Sequence, residues 1–398
     1  MALSPEIIKH MVNNLFNELV AYRRHFHANP ELSYHEKNTA SYISSLLAKW
    51  NIEHKTGVAG YGITGILKGK NPAKKIVALR ADMDALPVTE KNNVPYRSLN
   101  EGVMHACGHD VHMTCLLGTL KILNAIKEKW EGSIKFIFQP AEEKLPGGAK
   151  GMIKEGVLQN PKPQAIIAQH VFPELEAGKV GFKTGKYMAS SDEINITVKG
   201  KGGHAAIPSH FDNTVLAAAE IITSLENEIN VKSTKESPTI LSFGKIIADG
   251  AHNVIPPRVY IFGTFRTFDE TWRKKAWQII KTRSQQIGKK HGCKTDVNVD
   301  AGYPFVLNNK KITETLKKAA AVYLGKENIV DLDIRMTAED FGYYSHVIPA
   351  TFYRLGVANK KRGIVSNLHS DTFDVDEKSI LTGTGLMIWN TLYLLNNL

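Results

Sequence analysis

Three short apolar runs constrain this chain more than any other feature. Residues 75–80 are a continuous apolar run bounded by charge, 133–138 read as another buried strand and 165–168 are apolar throughout, and each is too short for a helix. Runs of that kind suit strands buried on both faces. A helical pattern over 111–128 separates the first two, and a Gly-rich turn with a short helix separates the last two. Strands alternating with helices predict an α/β layer structure around a mostly parallel sheet.

Each run hands over to an acid or an imidazole. Asp82 and Asp84 follow the first, Glu142 and Glu143 the second, and His170 the third. Open α/β sheets bind ligands outside the carboxyl ends of their strands. Between the first two runs lies His105-Ala-Cys-Gly-His-Asp110. Cys107 and His109, two apart, share a side of an extended segment but not of a helix. Gly108 between them permits close backbone approach. The pattern predicts a loop at a helix start that presents a thiol and an imidazole together.

The N-terminal residues 1–20 read as an amphipathic helix, with Ile7, Ile8, Met11, Leu15, Phe16 and Leu19 on one stripe. Tyr22-Arg-Arg-His-Phe-His-Ala-Asn-Pro-Glu-Leu-Ser33 follows, and Asn29-Pro30 stops the helix. Residues 36–50 predict a second helix and 62–68 a short strand. Near Ser190 the texture changes. Residues 193–198 alternate, then come Gly200-Lys-Gly-Gly-His-Ala-Ala-Ile-Pro208, a helix at 214–230, strands at 239–247 and 254–266, a helix at 270–291 and a strand at 294–299. That order, β-α-β-β-α-β, is the split pattern of a ferredoxin-like α+β module. It predicts an insertion at 188–301 within a discontinuous first domain formed by 1–187 and 302–398. The edges of its sheet are open to pairing with another subunit. From Tyr303 the α/β texture returns, with a helix at 312–323, a strand at 349–355, the loop Leu368-His-Ser-Asp371 and a final helix at 378–396.

Composition narrows the class. With 398 residues, two domains are expected. No run reaches the length of a membrane span and no apolar leader opens the chain. Three cysteines argue against a disulfide framework, and a cytoplasmic location is expected. The net charge of +11 is spread over separated lysines without aromatic interleaving. It reads as solvated surface charge, compatible with steering anionic substrates, and no nucleic-acid or membrane partner is expected.

Seven segments, taken together and in order, resemble the M20 metallopeptidase family: Ala78-Leu-Arg-Ala-Asp-Met-Asp-Ala-Leu-Pro87, Met104-His-Ala-Cys-Gly-His-Asp110, Gln139-Pro-Ala-Glu-Glu143, Gly202-Gly-His-Ala-Ala206, Asn253-Val-Ile-Pro256, Ala338-Glu-Asp-Phe341 and Leu368-His-Ser370. The most similar branch is the amidohydrolases of N-acyl amino acids, such as hippurate and auxin-conjugate hydrolases. The resemblance implies a two-metal catalytic domain and an inserted lid that forms a homodimer. It places Cys107, His109, Glu143, His170 and His369 at metal-ligand positions and Glu142 at that of the catalytic base. It assigns His204 and Asn253 to a neighbouring subunit's active site, and Arg266 to the substrate carboxylate. Met336-Thr-Ala-Glu departs from the Gly-Ser-Glu common in the family, which touches pocket detail only.

Amide hydrolysis needs an activated water and a stabilised oxyanion, and two divalent ions about 3.5 to 4 Å apart supply both. A thiolate forms bonds of about 2.3 Å to zinc, so the Cys107 sulfur either bridges the pair or binds one ion alone. One thiolate and one carboxylate against two divalent ions leave the centre positive, which favours ionisation of a bound water. Sulfur and imidazole suit zinc, cobalt or nickel, and manganese is common in this branch. Glu142 would take the water proton and pass it to the leaving amine. His204 is the candidate donor to the carbonyl oxygen. Asp84 is expected to orient a ligand histidine, and Glu339 is a further candidate pocket residue. Cys115 and Cys293 read as small core residues. A dipeptidase or carboxypeptidase of the same family is the alternative, and a non-enzymatic metal- or nucleic-acid-binding protein the third reading.

Overall fold

The computed structural model describes residues 3–398, so Met1 and Ala2 of the expected first helix lie outside the described residues. Two compact units form. Unit 1 comprises Met1–Tyr187, Leu307–Asp333 and Tyr343–Leu398; unit 2 comprises Met188–Val306 and Ile334–Gly342. Residues 302–306 and 334–342, expected with the C-terminal part of the first domain, therefore pack with unit 2.

Helix α1 (Pro5–Ala28) starts on Ser4, whose hydroxyl accepts from the Ile7 N–H, with Pro5 where no N–H is needed. It runs on through Arg23 and His27, both buried, and stops where Asn29-Pro30 forbids another turn. α2 (Lys37–Lys49), β1 (His54–Val58), β2 (Gly62–Lys68) and β3 (Ile76–Asp82) follow. Then come α3 (His109–Ala125), β4 (Ser133–Gln139), α4 (Gly148–Lys154), β5 (Ala165–Glu176), β6 (Val180–Phe182) and β7 (Gly185–Met188). α3 begins two residues before the expected Val111, so His109 stands on its first turn.

Within unit 2 the order is β8 (Asp192–Lys199), β9 (Gly203–His204), α5 (Thr214–Asn230), β10 (Ile240–Ile247), β11 (Val254–Ile255), β12 (Arg258–Arg266), α6 (Glu270–Lys290) and β13 (Lys294–Ala301). The run expected as one strand at 254–266 is split by Pro256-Pro257, which lack ladder donors. β14 (Val306–Asn308), α7 (Lys310–Leu324), β15 (Ile329–Asp331), α8 (Gly342–Ser345), β16 (Ala350–Ala358) and α9 (Ser379–Asn397) complete the chain.

Unit 1 is built on an eight-stranded sheet in the order β1-β2-β4-β3-β5-β16-β6-β15. Its central strands β4, β3, β5 and β16 are all parallel, and β6 with β15 also. β2 and β1 add antiparallel at one side, and β6 pairs antiparallel with β16. Every residue of β4 is buried, Ser133, Lys135 and Gln139 included, as its place between β2 and β3 requires. The register places Asp82 beside Gln139 and Arg354 beside His170. β5 differs from expectation: it does not end at Ala168 but continues to Glu176, because β16 pairs with it past His170 to Phe172. His170 is thus held inside a strand. α1, α3 and α9 pack on one another, and α3 and α9 lie on β3. Both α3 and α9 are buried almost throughout, as helices apolar on all sides must be.

In unit 2, β10-β12-β8-β13 form an antiparallel sheet whose outer strands are β10 and β13. β8 alternates buried and more exposed residues. Its inward Ile194, Ile196 and Val198 meet Ala218, Ile221 and Leu225 of α5 and Ala276, Ile280 and Ile287 of α6. Asp192 at the start of β8 receives two nitrogens of Arg273 at 2.9 and 2.5 Å, the Trp277 ring N–H at 2.9 Å and the Gly302 N–H at 3.1 Å. Glu270 takes the remaining Arg273 nitrogen at 3.0 Å.

Candidate metal centre

The site grows from the loop between β3 and α3. Gly108 has φ of 77°, and a Cβ there would stand 2.4 Å from a methyl of Val171. Only glycine fits, and the turn it makes points Cys107 and His109 the same way. The His109 Nδ1–H donates to the Asp84 carbonyl at 2.8 Å, which leaves Nε2 as the coordinating atom. On β5, the His170 Nδ1–H donates to the Val171 carbonyl at 2.8 Å, and its Nε2 stands 3.4 Å from the Cys107 sulfur. His369, on the loop before α9, has φ of 64° and donates its backbone N–H to the Ala106 carbonyl at 2.8 Å. A non-glycine residue in that region marks a conformation the surroundings impose. Its Nε2 lies 3.3 Å from Glu143 Oε1.

All five expected ligands come together, as two trios that share one atom. Cys107, His109 and His170 form one, Cys107, Glu143 and His369 the other; in each, the ligand atoms lie within 4.8 Å of one another. Glu142 joins His109 and Glu143 at the same separation. The donors fit a soft divalent cation. Two buried atoms support the fit: His109 Nε2 and Glu143 Oε1 have no hydrogen-bond partner. Buried polar atoms are seldom left so without a ligand.

The charge balance points the same way. Burial pulls the His109 imidazole down, but Asp82, Asp84 and Glu143 reverse this and push it up to about 10. Burial, helped by Arg354 and His112, holds His170 well below the usual imidazole range, in the neutral form a ligand needs.

Asp84 is the template. Its carboxylate accepts the backbone N–H groups of Glu142 and Glu143 at 3.0 and 2.9 Å and the Ser33 hydroxyl at 2.6 Å. It thereby sets adjacent glutamates in a turn rather than on opposite faces of a strand. Asp82 works differently. It accepts from His112 Nδ1 at 2.5 Å and from Arg80 at 2.6 Å, and His112 Nε2 accepts the Val171 N–H at 2.9 Å. His112, one turn beyond His109 on α3, braces the backbone beside His170. Sequence reasoning did not single it out, although the three-residue spacing is a readable signal.

A second group missed in the sequence lies beneath the loop. Arg23 bonds Asp110 at 2.9 Å and Asp374 at 2.8 Å, and His27 bridges Asp110 and Glu90 at 2.8 and 3.2 Å. One buried arginine thus ties α1 to the residue after His109 and to the loop after His369.

The remaining expected residues lie in unit 2. His204 is exposed on β9, opposite Val254 of β11, and its Nδ1 accepts the Ala206 N–H at 3.2 Å. Asn253 is exposed beside it, its carbonyl accepting the Ala205 N–H at 2.8 Å. Arg266 ends β12, half-buried, with Nη1 3.4 Å from the Ser190 carbonyl; burial lowers its pKa. Glu339 is buried in unit 2. Cys115 and Cys293 are buried away from these trios, and all three cysteines are free thiols.

The model of peptidase family M20/M25/M40 matches residues 78–388. The chain belongs to that family. Among curated M20-type relatives, the N-acyl-L-amino acid amidohydrolase of Geobacillus stearothermophilus is 38% identical over 306 residues, covering 77% of this chain and 82% of its own. The IAA-amino acid hydrolase ILR1-like 4 of Arabidopsis thaliana is 36% identical over 383 residues, covering 94% of this chain and 85% of its own. Among solved structures, the Bacillus subtilis YXEP protein, a dinuclear metal binding peptidase from the M20 family, superposes with a TM-score of 0.81 at 29% identity, covering 97% of this chain and all of the other. The chain is an amidohydrolase of the M20 type, and its cofactors are divalent metal ions. No helix among the described residues is long and apolar enough to cross a membrane.

Proposed function

We propose that this enzyme hydrolyses the amide bond of small N-acyl amino acids, hippurate-like or N-acetyl, releasing a carboxylic acid and an amino acid. The observation that carries the reading is the pair of trios sharing Cys107, with Glu142 beside them. Cys107, His109 and His170, and Cys107, Glu143 and His369, are the groups that would hold divalent ions, zinc, manganese, nickel or cobalt. When bound, the ions supply Lewis acidity toward a water and the amide carbonyl. Glu142 takes a proton from the attacking water and returns it to the departing nitrogen. Asp84 holds Glu142 and Glu143 at their stations through the two backbone bonds described above.

Unit 2 is proposed as the lid, moving on hinges near 185–190 and 300–303. His204 donates to the developing oxyanion, Asn253 supports it, and Arg266 meets the substrate carboxylate. A homodimer through this unit is supported by the outer strand β10, which exposes Ile240, Ile246 and Ile247 along an unpaired edge. A full-activity monomer would remove the trans role of His204 and Asn253.

The test is a panel of N-acyl amino acids and free-amine dipeptides assayed after metal is restored, with metal content measured alongside. Turnover of acylated substrates is expected. No turnover on any of them with metal bound sinks the proposal, and a preference for free-amine dipeptides replaces it with a dipeptidase.

A further inference from the structure

Glu36 sits immediately before α2, where a side chain commonly caps the helix. It makes no cap bond. Glu31 fills that role from outside, accepting the N–H groups of Asn38 and Thr39 at 3.1 and 2.8 Å. Glu36 is turned inward instead and is fully buried. One oxygen, Oε1, accepts two backbone N–H groups, that of Tyr34 at 3.0 Å and that of Ala141 at 2.8 Å.

Both of those residues have left-handed backbones, with φ of 68° at Tyr34 and 52° at Ala141. Neither is glycine, so each conformation is disfavoured by its own Cβ and persists only when something holds it. A single carboxylate oxygen holds both. Ala141 directly precedes Glu142 and Glu143. On its other side, the Ala141 carbonyl accepts the Gly148 N–H at 2.9 Å. Three residues upstream of Glu36, Ser33 reaches Asp84, which receives the next two N–H groups of the same turn. The segment 33–36 therefore touches the Ala141–Glu143 turn directly at one N–H and through Asp84 at two more.

We infer that Glu36 is a positioning residue for the reaction: its Oε1 clamps the Ala141 peptide in the left-handed conformation that aims Glu142 at the attacking water. The inference rests on the proposed role of Glu142. It demands an acceptor at Oε1 rather than a charge. Glu36→Gln, which keeps that oxygen, should work, and Glu36→Leu, which removes it, should not.

Two readouts test this. The first is amide exchange of the 139–145 segment in metal-free protein, which does not depend on activity. Exchange should be faster by about 100-fold in Glu36→Leu and close to the parent in Glu36→Gln. The second is steady-state kinetics on metal-loaded protein. Glu36→Leu should lower kcat by about 100-fold with KM changed less than about threefold, and Glu36→Gln should keep kcat within about threefold. Ala141→Gly adopts the same backbone without a clamp, so the double variant Glu36→Leu/Ala141→Gly should recover at least about tenfold of the lost kcat.

Parent-like exchange and kcat in Glu36→Leu overturn the inference. So does an equal loss in Glu36→Gln, which would make the charge the active feature. Should Glu36→Leu fold only poorly, the double variant decides: folded and active supports the clamp, whereas folded and inactive, or folded in neither background, overturns it. Glu142→Gln assayed in parallel separates the two levels. Full activity there removes the role of Glu142 while the exchange result still judges the clamp.

Discussion

Each unit holds a centre of acids and bases, and the two are put together oppositely. In unit 2, Asp192 and Arg273 close a node in which the guanidinium nitrogens reach Asp192, Glu270 and the Gly302 carbonyl. In unit 1, Cys107, His109, Glu143, His170 and His369 converge, yet His109 Nε2 and Glu143 Oε1 have no hydrogen-bond partner. Charge and buried polar atoms are common to both, although His369 is exposed. What differs is whether each buried atom has a hydrogen-bond partner, and that separates a structural pair from a site whose donors fit a cation.

The largest effect should come from Glu142→Gln, which keeps the shape of the site and removes the base. A fall in kcat of about a thousandfold with metal content unchanged is expected. An unaltered kcat would erase the functional side of the contrast. Next, Arg273→Met leaves Asp192 buried without its cation and should cost about 3–5 kcal/mol in denaturant unfolding. Metal content per folded chain should not change; if it falls, the node is no longer purely structural.

Cys107→Ala tests the sharing of one atom by two trios. Metal analysis should show fewer than two ions per chain, with weakened retention of both, whereas loss of only one would make the sulfur a terminal ligand.

The smallest effect concerns Glu36. Burial, with Asp84 adding to it, raises its carboxyl from 4.5 to about 7. The folded state therefore binds this proton more tightly than the unfolded chain. Its stabilisation is complete below about pH 4.5 and fades as pH rises through about 7. Glu36→Gln should remove about 2 kcal/mol of stability change between pH 5 and pH 8, measured as the difference between the two unfolding curves. Superimposable pH profiles would show that Glu36 titrates normally.

How far the sequence reached differs along the chain. The mainly apolar runs at 75–80 and 133–138 are strands, because segments this apolar and this short sit between two layers. The alternation at 193–198 is a half-exposed strand for the complementary reason. The third run misled at its end. Polar Gln169 and His170 read as a terminus, but a neighbouring parallel strand, distant in sequence, carries β5 onward. His112 and Glu36 escaped notice on different grounds. His112 is the second of two imidazoles on an apolar helix. Glu36 is an acid at a helix start, where an exposed charge is the ordinary expectation.

Periodicity and residue type, being properties of the local chain, determined which segments are strands or helices and which side chains have ligand chemistry. They also pointed to close backbone approach at Gly108, and the tertiary contact with Val171 supplies the reason that only glycine fits there. Tertiary structure alone decided that the two trios share the Cys107 sulfur, that Asp84 gathers the N–H groups of Glu142 and Glu143, and that Glu36 reaches across 105 residues to Ala141. Those outcomes depend on which strands lie side by side and on which buried atom is left without a partner. Both are set by packing between distant segments, where no local pattern records them.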